Sequence, residues 1–213
     1  YQLTQEDECY YDETDQLLFY LPLAGSAFKK TYYDETLEYT TSKFIRGEDV
    51  VFPYGASSLE DAPRYFHRML MHRNEVKQRQ QSGLYRDVEL SPPFMEGSFA
   101  TSSSTQQNLY DKADGKLPIM AQNDPRLTIY EGYCLYNLPG QFEDPKGIAR
   151  PYIITIDYYS QKILSIYRNW RQTDTKKRQR RWLTHYKYLP GTGFYGWGLF
   201  HVIGGLAEAC TSS

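Results

Sequence analysis

Apolar and polar positions alternate along this chain in short segments, and few of them carry the long three-to-four spacing of an amphipathic helix. Between Gln16 and Tyr33, Leu17-Leu18-Phe19-Tyr20-Leu21 and Ala24-Gly25-Ser26-Ala27-Phe28 are interrupted by Gly and Pro, a pattern that predicts strands, or one strand with a bend. Asp49-Val50-Val51-Phe52-Pro53 is a further short strand. Ser57-Ser58 followed by Glu60-Asp61 resembles a capping box. Pro63 and the alternating stretch Tyr65-Phe66-His67-Arg68-Met69-Leu70-Met71 favour instead a turn near Ser57 and then a strand. A helix is predicted over about 74–82. Asn74 suits an N-cap, Glu75 to Gln81 favour helix, and Gly83 stands where a left-handed C-cap residue belongs. Residues 91–114, poor in aliphatics and containing Thr101-Ser102-Ser103-Ser104-Thr105, read as an exposed loop with a short helical turn at 106–110.

The pattern sharpens after Asp124. Strands are predicted at 127–136, 151–157, 162–170 and 180–188, with a polar turn at Tyr159-Ser160-Gln161 and a charged one at 173–177. Short connections between β-branched and aromatic runs make these an antiparallel meander over about 127–188. Gly191, Gly193, Gly196 and Gly198 then lead into an apolar segment that reads as the start of a helix over 196–213. The fold class is α+β: mainly antiparallel strands with a few helices. The first residue is not Met and the last segment breaks off at Cys210-Thr211-Ser212-Ser213, so the chain is expected to be a piece of a longer polypeptide with a truncated C-terminal helix.

Composition adds one feature. There are 21 Tyr against 10 Phe and 3 Trp, and such rings suit half-buried strands with a wet hydroxyl edge, at an oligomer interface or along a carbohydrate groove. A net charge of −2 argues against a protein whose whole surface grips phosphate. Cys9, Cys134 and Cys210 have neither zinc spacing nor a disulfide framework, and read as free thiols. No signal peptide and no apolar run of membrane length is visible.

Candidate chemistry is sparse. His67, His72, His185 and His201 are scattered outside any metal or nucleophile signature, and the spacing of His67 and His72 puts them on opposite faces of a strand. The acidic groups Glu6-Asp7-Glu8, Asp12-Glu13 and Asp34-Glu35 read as solvated faces, although paired carboxylates beside tyrosines would also suit a glycosidase. Gly191-Thr192-Gly193-Phe194-Tyr195-Gly196 has the bare G-x-G-x-x-G spacing, but aromatics stand where a pyrophosphate needs room, and no βαβ unit follows. Catalytic, cofactor-binding and metal-binding residues are therefore all expected to be none. Lys176, Lys177, Arg178, Arg180 and Arg181 form the most basic run, beside Trp182, and are the candidate nucleic-acid contacts. Strand alternation would send Arg180 and Trp182 to one face and Arg181 and Leu183 to the other. On that reading the run is better explained as a soluble hairpin turn.

Four ordered segments carry a resemblance: "AGSAFKKTYYDE", "SGLYRDVEL", "RPYIITIDYYSQKILSIYRNW" and "HYKYLPGTGFYGWGLFHVIGGL". In this order they resemble the portal, or head-to-tail connector, proteins of tailed double-stranded-DNA bacteriophages, above all the short-tailed type. The resemblance implies that 1–195 correspond to much of the wing of such a subunit, and that 196–213 begin a helix leading to its stem and core. It further implies a structural, non-enzymatic role in a homo-oligomeric ring, a dodecamer, at one capsid vertex. There the subunit would serve capsid assembly, DNA packaging and ejection, and tail attachment. The implied partners are other copies of itself, a terminase, capsid or scaffold protein, a tail adaptor and double-stranded DNA in the channel, with no membrane. The implied location is the virion, and the host bacterial cytoplasm during assembly. From the residues alone, a carbohydrate-binding or carbohydrate-active tail module and a nucleic-acid-binding domain remain the other readings.

Overall fold

The computed structural model describes residues 7, 9–34, 38–90, 126–139 and 146–211, without the side chains of 205–209 and 211. The loop expected at 91–114 and the turn at 106–110 lie outside the described residues. In chain order the elements are α1 (Tyr10–Ala24), β1 (Ser26–Asp34), β2 (Tyr39–Arg46), a 3-10 turn (Gly47–Asp49), β3 (Val50–Val51), β4 (Arg64–His72), α2 (Arg73–Gln81), β5 (Arg126–Tyr136), β6 (Arg150–Asp157), β7 (Ile163–Arg168), β8 (Leu183–Lys187) and α3 (Leu199–Thr211). This is an α+β fold of mostly antiparallel strands, as the pattern predicts. The sheets run β2-β1-β8 and β3-β4-β5-β6-β7.

The chain forms two compact units, Tyr1–His67 with Gly132–Ile153 and Arg168–Ser213, and Arg68–Glu131 with Ile154–Tyr167. In the first, β1 pairs antiparallel with β2 from Ala27↔Arg46 to Asp34↔Tyr39, and with β8 from Ser26↔Lys187 to Lys30↔Leu183. Phe28, Ile45, Val50, Tyr65, Tyr133, Leu183 and Phe194 form its core. Tyr65 and Tyr133 stack at 4.7 Å, and Phe52 and Phe194 meet at 4.0 Å. The second unit has its own core of Met71, Val76, Tyr85, Leu90, Leu127, Ile129 and Leu164. Val76 is the apolar anchor of the otherwise polar α2. Gly83, at φ +78°, turns the chain out of that helix as expected. The segment that follows lies along β7: Arg86 N–H donates to Leu164 O (2.7 Å), and the Tyr167 hydroxyl donates to Leu84 O (2.5 Å).

Two expectations need correction. Residues 10–24 are helical, not strands, because Leu17, Leu21 and Ala24 recur at helical spacing, with Leu17 buried and the other two half-buried. Asp12 and Glu13 sit favourably at the positive N-terminal end. Pro22 falls in the last turn, and Gly25, at φ +83°, caps the helix through its N–H to Leu21 O (2.8 Å). Buried polar groups tie this helix to its sheet. Lys29 Nζ donates to Thr14 Oγ1 (2.7 Å) and lies 4.1 Å over the Tyr10 ring. Glu13 accepts from Phe44 N–H (2.6 Å), and Asp7 from Ser42 N–H (3.0 Å). Burial lowers the Lys29 pKa, while Glu13 and Asp7 pull it back up.

The second correction concerns the end of the meander. β5, β6 and β7 are neighbours as predicted, but β8 leaves them and adds to β1 in the other sheet. The strand also begins at Leu183 rather than near 180. Trp182 O accepts Thr31 N–H (3.0 Å) just before the ladder with β1 starts.

Glycines make the crossing of α1, β8 and the approach to α3 possible. Ser26 Oγ accepts Gly196 N–H (2.7 Å), Gly25 O accepts Tyr188 N–H (3.0 Å), and Leu189 and Trp197 exchange backbone bonds. A Cβ on Gly196 would lie 2.5 Å from Gly25 O and 2.8 Å from Leu189 O, and one on Gly198 would run into Leu23 O. The G-x-G-x-x-G spacing thus ends in a backbone crossing.

Candidate functional site

The connection from β7 to β8 is the most distinctive chemical feature of the first unit. Seven of the fourteen residues from 168 to 181 are Lys or Arg, with Asp174 as the one acid. In other words, seven of the chain's 24 cations and one of its 26 acids fall in this segment, against a net charge of −2 overall.

Asn169 sets the base of the loop. It is fully buried; its N–H donates to Pro151 O (3.0 Å) and its carbonyl accepts Arg180 N–H (2.9 Å). Its Oδ1 accepts the indole N–H of Trp182 (2.7 Å). An indole nitrogen only donates, so this bond also fixes which way the amide faces. Backbone and side chain of this one residue together pin both ends of the loop. Asp174 organises the tip, accepting from Lys176 N–H (3.0 Å), Arg178 N–H (3.2 Å) and Arg178 Nε (3.0 Å). The Arg178 side-chain bond, followed by the backbone bond from Lys176, holds the Asp174 carboxyl below its usual pKa.

Of the five basic residues expected from the sequence, Arg178, Arg180 and Arg181 line one cleft, while Lys176 and Lys177 lie on the same loop outside its lining; none of the five is on a strand. Arg180 and Arg181 precede β8, so the alternation that would have split them between two faces does not apply. Arg180 lies 4.3 Å over the Trp182 ring, and Lys177 lies 5.8 Å over Trp170, which packs edge-on against Tyr152 at 5.3 Å. Arg181 pairs with Glu60 (2.6 Å), both side chains being well exposed. Arg171, Asp174, Arg178, Gln179, Arg180 and Arg181 line an open cleft of about 440 Å³.

No protein-family model and no curated protein matches the chain.

Sequence reasoning missed Arg171 and Asp174. Their signal was present in the segment Asn169-Trp170-Arg171-Gln172-Thr173-Asp174, where a polar and an aromatic anchor precede an acid that can close a turn. The histidines stay apart. His72 precedes α2, and His201 Nδ1 accepts Gly198 N–H (3.1 Å) at the start of α3. Among the described residues no group of three or more His, Cys, Asp or Glu is placed to hold a metal. No described helix is long and apolar enough to cross a membrane.

His185 belongs to the core instead. It stacks on Phe28 (4.4 Å) and Phe194 (4.8 Å), and its Nε2 lies 3.1 Å from Ser26 Oγ. Since Ser26 Oγ already accepts Gly196 N–H, its own hydrogen is available to a neutral imidazole. Burial, assisted by Lys187, lowers the His185 pKa to about 4. The unfolded chain therefore binds this proton first, and stability must fall as pH drops from about 6.5 towards about 4. The full gap is worth roughly 3 kcal/mol; with the ring partly open to solvent we expect about 1–2 kcal/mol. Urea unfolding at pH 7 and pH 4.5 tests this against His185→Gln. The variant should lose about that much of the acid sensitivity, and equal pH dependence in the two proteins would refute the assignment.

Proposed function

We propose that the chain is a region of a structural subunit of the phage-portal type, acting by assembly rather than catalysis. The observation that carries the reading is where the four resembling segments lie. "AGSAFKKTYYDE" and "HYKYLPGTGFYGWGLFHVIGGL" are far apart in sequence, yet they supply β1, β8 and the glycine crossing between them. "SGLYRDVEL" and "RPYIITIDYYSQKILSIYRNW" supply the post-helix segment and the β6–β7 pair on which it rests. The resemblance thus falls on the parts that build the scaffold of each unit.

The exposed surface of the first unit supports the assembly part of the reading. α1 presents Tyr11, Leu18 and Phe19 to solvent, and α3 presents Phe200, Val202 and Ile203; Phe19 and Phe200 are 76% and 70% exposed. Surplus apolar surface of this kind marks protein contacts, and a ring requires two different, mutually complementary surfaces on each copy. In the complete subunit, the implied partners remain further copies, a terminase, capsid or scaffold protein, a tail adaptor and double-stranded DNA.

Sedimentation velocity of the complete gene product tests the assembly claim. A single closed oligomer of many copies, unchanged in size over a wide concentration range, is expected. A monomer at every concentration, or an open-ended ladder of sizes, would refute it.

A further inference from the structure

The loop that connects β7 to β8 carries a second inference, independent of the portal reading. We propose that the arginine cleft at 171–181 is a binding site for the phosphate backbone of nucleic acid.

Three observations support it. The first is preorganisation. Asn169 pins both ends of the loop, Asp174 fixes the tip and the Arg178 guanidinium, and Trp182 supports Arg180. Cations held in place lose less side-chain entropy on meeting a ligand than free surface lysines. Asp174 is a positioning residue here: three of its hydrogen bonds go to the loop itself.

The second is charge. Arg171, Lys176, Lys177, Arg178, Arg180 and Arg181 are all exposed, and among the described residues the carboxylates paired with them are Asp174 and Glu60. Cations therefore outnumber the acids that answer them, in a chain that is acidic overall.

The third is the lining. Four arginines, one glutamine and one aspartate form the cleft, without an apolar residue. A protein interface needs apolar or aromatic anchors at its centre, and a membrane surface rewards apolar side chains beside the cations. A lining of guanidinium forks and a glutamine matches instead a ligand that is charged, oxygen-rich and repeated, as a phosphodiester chain is. With no base-reading element at the cleft, binding should be insensitive to sequence.

The test is fluorescence anisotropy of the 213-residue chain with a labelled DNA duplex of about 20 base pairs across a salt series. Wild type should bind in roughly the micromolar range at about 50 mM salt, with log K falling linearly against log salt. Arg171→Gln/Arg178→Gln/Arg180→Gln should weaken binding about 10-fold or more and lower the salt slope by about 2–3. Arg171→Gln/Lys176→Gln leaves the Asp174 and Trp182 contacts in place and should lower the slope by about 1–2, which separates phosphate contact from loop damage. Lys43→Gln/Arg46→Gln/Arg64→Gln removes equal charge from exposed positions elsewhere and should change affinity less than about 2-fold. The proposal is overturned if wild type does not bind, or if the control triple loses as much as the cleft triple. It is equally overturned if polyglutamate or anionic phosphatidylserine vesicles compete better than unlabelled duplex.

Discussion

Replacing Gly198 or Gly196 with alanine should cost the first unit about 3 kcal/mol or more. Most Gly-to-Ala changes relieve backbone entropy and are mild. Here the new Cβ has nowhere to go. At Gly196 it meets Gly25 O and Leu189 O, and at Gly198 it meets Leu23 O and Gly25 N (2.7 Å), all of them backbone atoms that cannot rotate aside. Relief requires α1 and the approach to α3 to separate, which breaks the bond from Gly196 N–H to Ser26 Oγ and loosens the exchange between Leu189 and Trp197. Gly193 is the internal control, because a Cβ there meets nothing within 4 Å. Thermal unfolding should place Gly193→Ala near wild type and Gly198→Ala about 10 °C lower. Equal melting temperatures for the two variants would mean that the crossing is looser than described.

Phe28→Ala should be comparably damaging, at about 3–5 kcal/mol. Phe28 is fully buried at the meeting point of three rings, stacked on His185 at 4.4 Å, on Phe52 at 5.6 Å and on Phe194 at 6.3 Å. Truncation removes the ring from which the other three take their positions, and β1 cannot collapse into the space while β2 and β8 hold it from both sides. The change should also hydrate His185, so its pKa should rise from about 4 towards its ordinary value. Urea unfolding gives the first effect, and NMR titration of the imidazole the second. A loss below about 1 kcal/mol would show that the ring is not central to packing.

These positions also mark what a sequence reader could and could not see. The second unit was legible because its signals are local. Gly83 closes α2 as read, although the helix starts at Arg73 with His72, not Asn74, as its N-cap. The β-branched and aromatic runs at 127–136, 151–157 and 162–170, each partly in this unit, read as strands. The first unit depends on partners more than a hundred residues apart. Nothing near Leu183 announces that its strand will pair with Lys30 instead of β7. The fourteen-residue segment from 169 to 182 is long enough to let the chain leave the meander, and reading Arg180 as strand made that connection look shorter than it is. In α1, Leu17 to Leu21 has the bulky aromatic content of a strand, and Pro22 looks like a breaker. The helix survives because its spacing buries Leu17 and because Pro22 lies in its last turn.

The basic residues of the candidate site were visible as a run, but their grouping was not. Treating 180–188 as a strand divided the arginines between two faces. The observed loop gathers them because the Asp174 carboxylate accepts the backbone N–H groups of Lys176 and Arg178, and the Asn169 backbone carbonyl accepts that of Arg180. A polar residue's role as a loop organiser depends on which backbone groups its side chain can reach, and spacing alone does not reveal that.

Electron microscopy of the complete gene product tests the central claim most directly. Closed rings with a central channel and cyclic symmetry, of the size that a dodecamer requires, are the result the portal reading predicts. Dispersed monomers or asymmetric aggregates, with no rings in any preparation, would contradict it.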